Sequence, residues 1–246
     1  MPIYYYSDFQ DVGYAYTWVR PPADLYGWEI VNYNGVNATW RGQMGAWALK
    51  SNLFGGREDS KDNLYQRIYY ATPQNVTWKN IVGGDFLASR DEWSARFTYI
   101  RSQVQQFDAS SGERVTPASD SPRSAERQQI FGVSINADFE RWFLRSEYSV
   151  FDRSSYSYKS NAWMLGVGAR MGSFTAMLTS SKYGEKNSFA PLTEQHDSGW
   201  SATLRYELSA GSALKLQFDR FRDRSGPELD FVGHSRLLSV SLDTVF

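Results

Sequence analysis

Length, composition and charge exclude several classes of protein. The chain has 246 residues, is 41% hydrophobic and 16% aromatic, and carries a net charge of -1. No run approaches the ~20 apolar residues of a spanning helix, and so many aromatic residues exclude a disordered chain. A net charge near zero gives no basic field, so we expect no nucleic-acid partner. With no cysteine, the chain has no disulfides, thiol catalysis or cysteine-ligated metals.

The first 34 residues differ in pattern from the rest of the chain. Between residues 12 and 20, small residues alternate with the aromatic residues Tyr14, Tyr16 and Trp18, and the stretch ends in Arg20-Pro21-Pro22. Proline cannot donate to a strand ladder. Residues 12–20 are therefore a poor candidate for a strand, needed only if an even strand count is to be reached.

After residue 35 the chain alternates apolar and polar residues almost everywhere. Residues 36–44 place valine, alanine, tryptophan, glycine and methionine on one face, with asparagine, threonine, arginine and glutamine on the other. This pattern predicts a strand with one apolar face. Later segments repeat it at about 9 to 11 residues each, the length that crosses a bilayer at a tilt. We therefore predict an all-β fold, an antiparallel transmembrane β-barrel with about 11 to 12 strands.

Short and long connections alternate along the chain. The short ones are residues 43–45, 89–91, 138–140, 171–173 and 208–212. The long polar ones are residues 56–77, 106–127, 152–161, 184–198 and 224–235. This alternation is typical of outer-membrane barrels, which have short periplasmic turns and long extracellular loops.

Aromatic residues recur at one offset from the short connections. Each of four residues follows a short connection on the apolar face: Trp47, Trp93, Trp142 and Phe174. This offset predicts an interfacial girdle.

The chain ends on Phe246 after an alternating strand, which resembles the signal read by the barrel assembly machinery. We expect that machinery as a partner, with outer-membrane lipid and lipopolysaccharide around the barrel.

Residues 7–22 read SDFQDVGYAYTWVRPP, followed by Leu25-Tyr26-Gly27 and then Asn34-Gly35-Val36-Asn37. This stretch resembles the general porins of Gram-negative proteobacteria, specifically over residues 1–55 and only in pattern thereafter. In that family the run forms the loop that folds into the pore. The resemblance implies a larger barrel of about 16 strands in a Gram-negative outer membrane, with several strands and a signal peptide preceding Met1. It assigns residues 1–34 to a segment like the constriction loop and residues 35–246 to the barrel.

Two sets of candidate site residues follow. The predicted constriction residues are Asp8, Asp11, Tyr14, Tyr16, Trp18, Arg20 and Asp24. The predicted pore-lining residues are Arg41, Lys50, Arg96, Arg101, Arg145, Arg170, Arg205 and Lys215. Charges along a water-filled barrel stay hydrated and act as a selectivity field, although any one of them can equally serve strand pairing or a local salt bridge. We expect the acidic residues of the loop to face the basic residues of the strands that follow it, with a slight preference for anions.

These features predict a porin, a channel for passive diffusion of small hydrophilic solutes, with no cofactor and no metal. The sequence leaves open whether the protein assembles as a homotrimer. Catalysis is disfavoured because hydrolysis needs a histidine paired with serine or aspartate, and the two histidines, His196 and His234, both fall in long loops. His196 is adjacent to Asp197 in sequence, so these two side chains would not face each other along a strand. The alternatives are a structural or adhesin-like barrel that binds partners through its long loops, and a soluble all-β binding domain.

Overall fold

The computed structural model describes residues 13–22, 25, 33–64, 66–67, 72–117, 122–153, 158–187, 194–225 and 233–245. Within these residues, twelve strands form a single sheet in which neighbouring strands are antiparallel. No helix among them has the length and apolar character needed to span a membrane. The all-β antiparallel fold predicted from the sequence is therefore confirmed.

Eleven long strands follow one another across the described sheet, and one short strand, β5, pairs with the end of β4. The strands are β1 (Asn34–Met44), β2 (Trp47–Ser60), β3 (Gln74–Arg90), β4 (Trp93–Asp108), β5 (Arg114–Thr116), β6 (Glu126–Asp138), β7 (Trp142–Arg153), β8 (Tyr158–Met171), β9 (Phe174–Asn187), β10 (His196–Ser209), β11 (Ser212–Asp223) and β12 (Ser235–Thr244). In this part of the chain β1 and β12 are the two edges of the sheet.

The sheet has one apolar face and one polar face, because successive side chains of a strand point to opposite sides. The outward face carries a belt of exposed hydrophobic side chains, with Leu178 61%, Val167 51% and Leu216 44% exposed. Monomeric soluble proteins rarely expose apolar patches beyond a few hundred Å². The belt therefore contradicts the soluble all-β alternative, whereas it matches a surface in contact with lipid.

Two-residue turns join several of the long strands at the predicted short connections. Gly45 has a φ of 60° and Gly172 a φ of 61° at the first position of the turns 45–46 and 172–173. A positive φ at that position suits the right-handed twist of a hairpin, and glycine adopts it without strain. These turns all lie at one end of the sheet, so the long loops lie at the other end.

Residues 12–20 do not supply a further strand in their described part. Gly13–Ala15 form a single 3-10 turn, and residues 16–22 continue without strand pairing. The prolines after Arg20 lack the N–H group that a ladder needs, and side chains of the barrel wall bind the backbone of this stretch instead, as described below. The possibility that residues 12–20 act as a twelfth strand is therefore wrong.

The irregular part of β3 has a local cause. The pairing of β3 with β4 shifts register between Lys79 and Val82, and Asn80 has a φ of 51°. The bulge adds a residue to β3, so even-numbered residues point inward before it and odd-numbered residues point inward after it. Trp78 and Ile81 are therefore both buried on the inward face. They belong to an inward-facing apolar cluster that consists of Phe54, Val76, Trp78, Ile81, Ile100, Val104 and Ile130.

The predicted aromatic girdle is present in the structure. Trp47, Trp93, Trp142 and Phe174 are the first residues of β2, β4, β7 and β9, and they are between 37% and 45% exposed. Their common offset from the short turns places them on one level of the outward face.

Labels at three girdle positions are expected to report one depth in a bilayer. The chain has no cysteine, so W47C, W93C and W142C can each carry a single bimane label in bilayers of lipids brominated at graded positions. All three should be quenched best by bromines near the headgroup. A label at V167C, in the middle of the belt, is the control and should be quenched best by bromines deep in the acyl chains. Different depths among the three girdle labels would contradict the predicted orientation.

Candidate pore constriction

Residues 13–22, which we call the constriction segment, lie against the inward face of the sheet. The contacts described below lead from this segment to β7, β8, β9, β10 and β11. The segment therefore crosses the inner side of the wall, and its role as a constriction loop stays a prediction.

Trp18 is the apolar anchor of the segment. It is 1% exposed and packs in a cluster with Phe143, Met164 and Met177. Its indole Nε1 donates a hydrogen bond of 2.9 Å to Thr179 Oγ1. The only polar atom of the ring is thus paired where it is buried, as a tryptophan in a packed site requires.

Two glycines of β8 make the hollow that receives this cluster. A Cβ at Gly168 would lie 2.1 Å from the ring of Phe143, and a Cβ at Gly166 would lie 2.3 Å from Met177 Cε. Any side chain at either position would displace the residues that hold Trp18. The sequence shows these alternating glycines as small residues on the polar face of β8. They are the one sequence signal that could have indicated where Trp18 packs against the wall.

Arg205 of β10 holds the first turn of the segment. Its guanidinium Nη1 donates to the carbonyl oxygens of Tyr14 and Tyr16, the latter at 3.0 Å. Its Nε donates to Glu207 Oε1 at 2.6 Å, and the hydroxyl of Tyr14 donates to Glu207 Oε2 at 3.0 Å. Arg205 also lies over the Tyr14 ring, with Cζ 4.5 Å from the ring centroid. Arginine and carboxylate together fix both the backbone and the side chain of the turn.

Two residues of β11 hold the rest of the segment. Lys215 Nζ donates to the carbonyl oxygen of Trp18 at 3.2 Å. Gln217 Oε1 accepts from the Val19 N–H at 2.8 Å, and Gln217 Nε2 donates to the carbonyl oxygen of Arg20 at 2.9 Å. An amide side chain can serve as donor and acceptor at once. Gln217 therefore satisfies a backbone N–H and a backbone C=O of the segment, which a neighbouring strand would otherwise have to bind.

Ion pairs neutralise most of the charge around the segment. Lys215 has no exposed side-chain surface and lies 2.5 Å from Asp243 of β12. Arg20 pairs with Asp219 at 3.1 Å. Buried ammonium groups require such partners because desolvation of an unpaired charge is costly. These side chains hold the segment in place and contribute little unbalanced charge.

Arg145 and Arg170 are the exception to this balance. Both guanidiniums bind the same carboxylate, Asp138, and each lies 4.8 Å over the ring of Phe143. Because one carboxylate is shared by two guanidiniums, Arg145, Arg170 and Asp138 together carry one formal positive charge, and the buried Glu147 lies two residues from Arg145 on the same side of β7. Beside it is a cavity of about 190 Å³ lined by the constriction segment and by the wall, with Arg145, Arg170 and Arg205 among its lining residues.

Other predicted pore-lining residues lie on a different part of the inward face. Arg96 of β4 pairs with Asp85 of β3 at 3.3 Å. Arg41 and Lys50 lie directly opposite each other on β1 and β2, and both are exposed. The contacts of the described constriction segment do not include these three residues, so the predicted field between them and the segment stays a prediction.

The structure corrects the position of Arg101. Along β4 the residues that share its side of the strand are Trp93, Ala95, Phe97 and Tyr99, all of which are exposed on the outward face. Arg101 has the same parity and is exposed, so the prediction that it lines the interior is wrong. Arg101 lies beyond the apolar belt on β4, at a level where a charged side chain can face outward.

Some predicted residues lie outside the described part of the chain. These residues are Asp8, Asp11, Asp24 and Phe246. The predicted acidic side of the constriction and the assembly signal therefore stay predictions. Sequence analysis also missed several residues that hold the segment, namely Phe143, Met164, Met177, Thr179 and Gln217.

Comparison with known proteins supports the fold. No protein-family model matches the chain, and no curated protein matches its sequence. Among solved structures, the outer membrane channel DcaP of Acinetobacter baumannii is similar at a TM-score of 0.63 and 8% identity, over 85% of this chain and 62% of the DcaP chain.

Two further structures have a lower TM-score. The NanC porin has a TM-score of 0.43 at 12% identity, over 86% of this chain and 99% of that one. The CymD monoaromatic hydrocarbon channel has a TM-score of 0.40 at 8% identity, over 86% of this chain and 72% of that one. This chain spans 62% of the length of DcaP. The likeness to DcaP shows that the chain has the fold of an antiparallel outer-membrane β-barrel.

Proposed function

We propose that the protein is a water-filled channel of a Gram-negative outer membrane, through which small hydrophilic solutes and ions diffuse passively. The observation that carries this proposal is the constriction segment. It lies on the inward face, fixed by Trp18, Arg205, Lys215 and Gln217 through their contacts with β7 to β11. A segment held flat against one wall narrows the interior of a barrel without being a wall strand itself. The resemblance of residues 1–55 to general porins supports the same function.

The inward face is largely polar, which is compatible with hydrated solutes. Its hydroxyl and amide side chains include Thr98, Ser102, Gln106, Gln128, Ser134, Ser149, Thr179, Ser201 and Thr203, each of which is at most 5% exposed. In the proposed channel only those polar groups that reach the passage exchange hydrogen bonds with water and solutes, and such groups select by size more than by chemical identity. The proposal includes no covalent step, and the residues that hold the segment have positioning roles.

The excess charge of Arg145 and Arg170 sets the expected ion preference. Both lie at the cavity beside the constriction segment, and they share Asp138. A fixed positive charge at a narrow point attracts anions and repels cations over about one Debye length, ~8 Å at physiological salt. A mild preference for anions follows, in the direction expected from the sequence.

The proposal predicts steady conductance. The full chain, reconstituted into planar bilayers in 1 M KCl, is expected to give stable current steps that rise linearly with voltage, because hydrated ions need no conformational change to pass. The control is the same detergent preparation after thermal denaturation. An intact, folded protein that inserts without conducting would contradict the channel and would favour the structural or adhesin-like alternative.

Removal of the two arginines is expected to change ion selectivity. In R145Q/R170Q the carboxylate of Asp138 loses both partners, so the reversal potential in a KCl gradient should shift towards cations, strongly at 50 mM salt and weakly at 1 M. The matched control is R96Q, which leaves Asp85 unpaired on a different part of the inward face. A larger shift in R96Q than in R145Q/R170Q would contradict a constriction at the segment.

Loss of the Gln217 amide is expected to loosen the segment. Q217L removes the hydrogen bonds to Val19 and Arg20 and should lower the free energy of unfolding by about 2 kcal/mol. In bilayers it should raise the frequency of brief current fluctuations, because the segment can leave the wall. The matched control is Q128L, a buried inward glutamine of β6. If the two variants fluctuate alike, the amide of Gln217 does not restrain the segment.

A further inference from the structure

Basic side chains gather on the outward face of β8 to β12, at the long-loop ends of these strands. We call this group the basic patch, and its members are Lys159, Lys182, Lys186, Arg220, Arg222 and Arg236. All six lie an even number of positions from the belt residues of their strands, so they are on the outward side. Five are exposed and Arg220 is half-buried. None of them belongs to the constriction.

Strand register brings members of the patch into like-charged pairs. Arg220 of β11 lies directly opposite Arg236 of β12, and Lys159 of β8 lies opposite Lys186 of β9. Side chains opposite each other in antiparallel strands have Cβ atoms about 5 Å apart, and like charges there destabilise the sheet. An anion held between the two side chains would remove that repulsion.

The described residues supply little counter-charge to the patch. Along the outward faces of β8 to β12 they include no aspartate or glutamate, and none of the six basic residues forms an ion pair with another described residue. The acidic residues of these strands have the inward parity: Glu185, Asp197, Glu207, Asp219, Asp223 and Asp243. Asp152 of β7, opposite Lys159, bounds the patch at one side.

The patch begins where the apolar belt ends. Trp163 lies opposite Lys182, and Trp200 lies opposite Arg220. The two tryptophans are 36% and 39% exposed, and tryptophan is enriched at the level of lipid headgroups. Towards the short turns the outward residues are apolar, as at Leu165 on β8. The basic side chains therefore lie at the headgroup level of the leaflet on the long-loop side.

We propose that the basic patch binds the phosphate groups of a phosphorylated glycolipid, of the lipopolysaccharide type, in that leaflet. A phosphate accepts charge-assisted hydrogen bonds from both arginines of the opposed pair, Arg220 and Arg236. Its charge offsets their repulsion, while the acyl chains of the same molecule cover the belt beneath. A free phosphate would make only the first of these contacts. The site requires the sheet in a bilayer and is independent of conduction.

The test uses the full chain folded in a zwitterionic detergent, with diphosphoryl lipid A as the probe and native mass spectrometry as the readout. R220Q/R236Q is expected to weaken lipid binding by about tenfold or more, since each cation near a membrane surface contributes to binding of anionic lipid. The matched control is R101Q/R127Q, two outward arginines on β4 and β6 that lie opposite glutamines instead of cations. The control should stay within about twofold of the unmodified protein, because it removes the same charge without an opposed pair.

A stability measurement separates a lost lipid site from misfolding. Without lipid A, R220Q/R236Q should be at least as stable as the unmodified protein, because the like-charge repulsion is gone. With lipid A it should be the less stable of the two. R220K/R236K retains both charges and should retain most of the binding. Unchanged affinity in R220Q/R236Q, an equal loss in the control, or displacement of the lipid by inorganic phosphate at comparable concentration would each overturn the proposal.

Discussion

A backbone inside lipid has no water to bind, so every N–H and C=O group in the membrane has to pair within the sheet. The strands between the two edges of the described sheet satisfy this requirement by pairing on both sides over most of their length, as β8 does with β9 from Tyr158 to Met171, whereas β1 and β12 each pair on one side among the described residues. Because side chains alternate along a paired strand, the same requirement divides each strand between lipid and interior. A slip of one residue would exchange the two faces, and the apolar belt is what fixes the register.

Features that depend on neighbouring residues could be predicted from the sequence, and features that depend on distant contacts could not. The strands, the short turns and the girdle each follow from a period of two and from residues within one hairpin. The same two-residue alternation, counted from Trp93, places Arg101 on the outward face, because the two residues are an even number of positions apart. The docking of the constriction segment depends on pairs far apart in the chain, such as Trp18 with Thr179 and Val19 with Gln217. No local pattern encodes such pairs, although the glycines of β8 mark the space that they fill.

Charged residues have different roles on the two faces of the sheet. On the inward face Arg205 and Lys215 are occupied by backbone carbonyls and by carboxylates, so they act as structural hydrogen-bond donors and contribute little free charge. On the outward face the arginines of the basic patch have no such partners among the described residues. A count of charges from the sequence treats the two groups alike, whereas their surroundings differ: the inward group is paired and holds residues 13–22, and the outward group forms the surface that we propose for anionic lipid.

The inward apolar cluster of β2 to β6 gives the interior two unequal sides. The apolar side chains of Val76, Trp78 and Val104 are packed together and at most 1% exposed, whereas the described inward face of β7 to β11 has no apolar cluster of this size and carries the charged side chains that contact the constriction segment. In the channel that we propose, an ion would therefore meet charged hydrogen-bond donors on one side of the passage and a packed apolar cluster on the other. Its path would follow the side of β7 to β11, and the width open to a hydrated ion would be smaller than the geometric width of the passage.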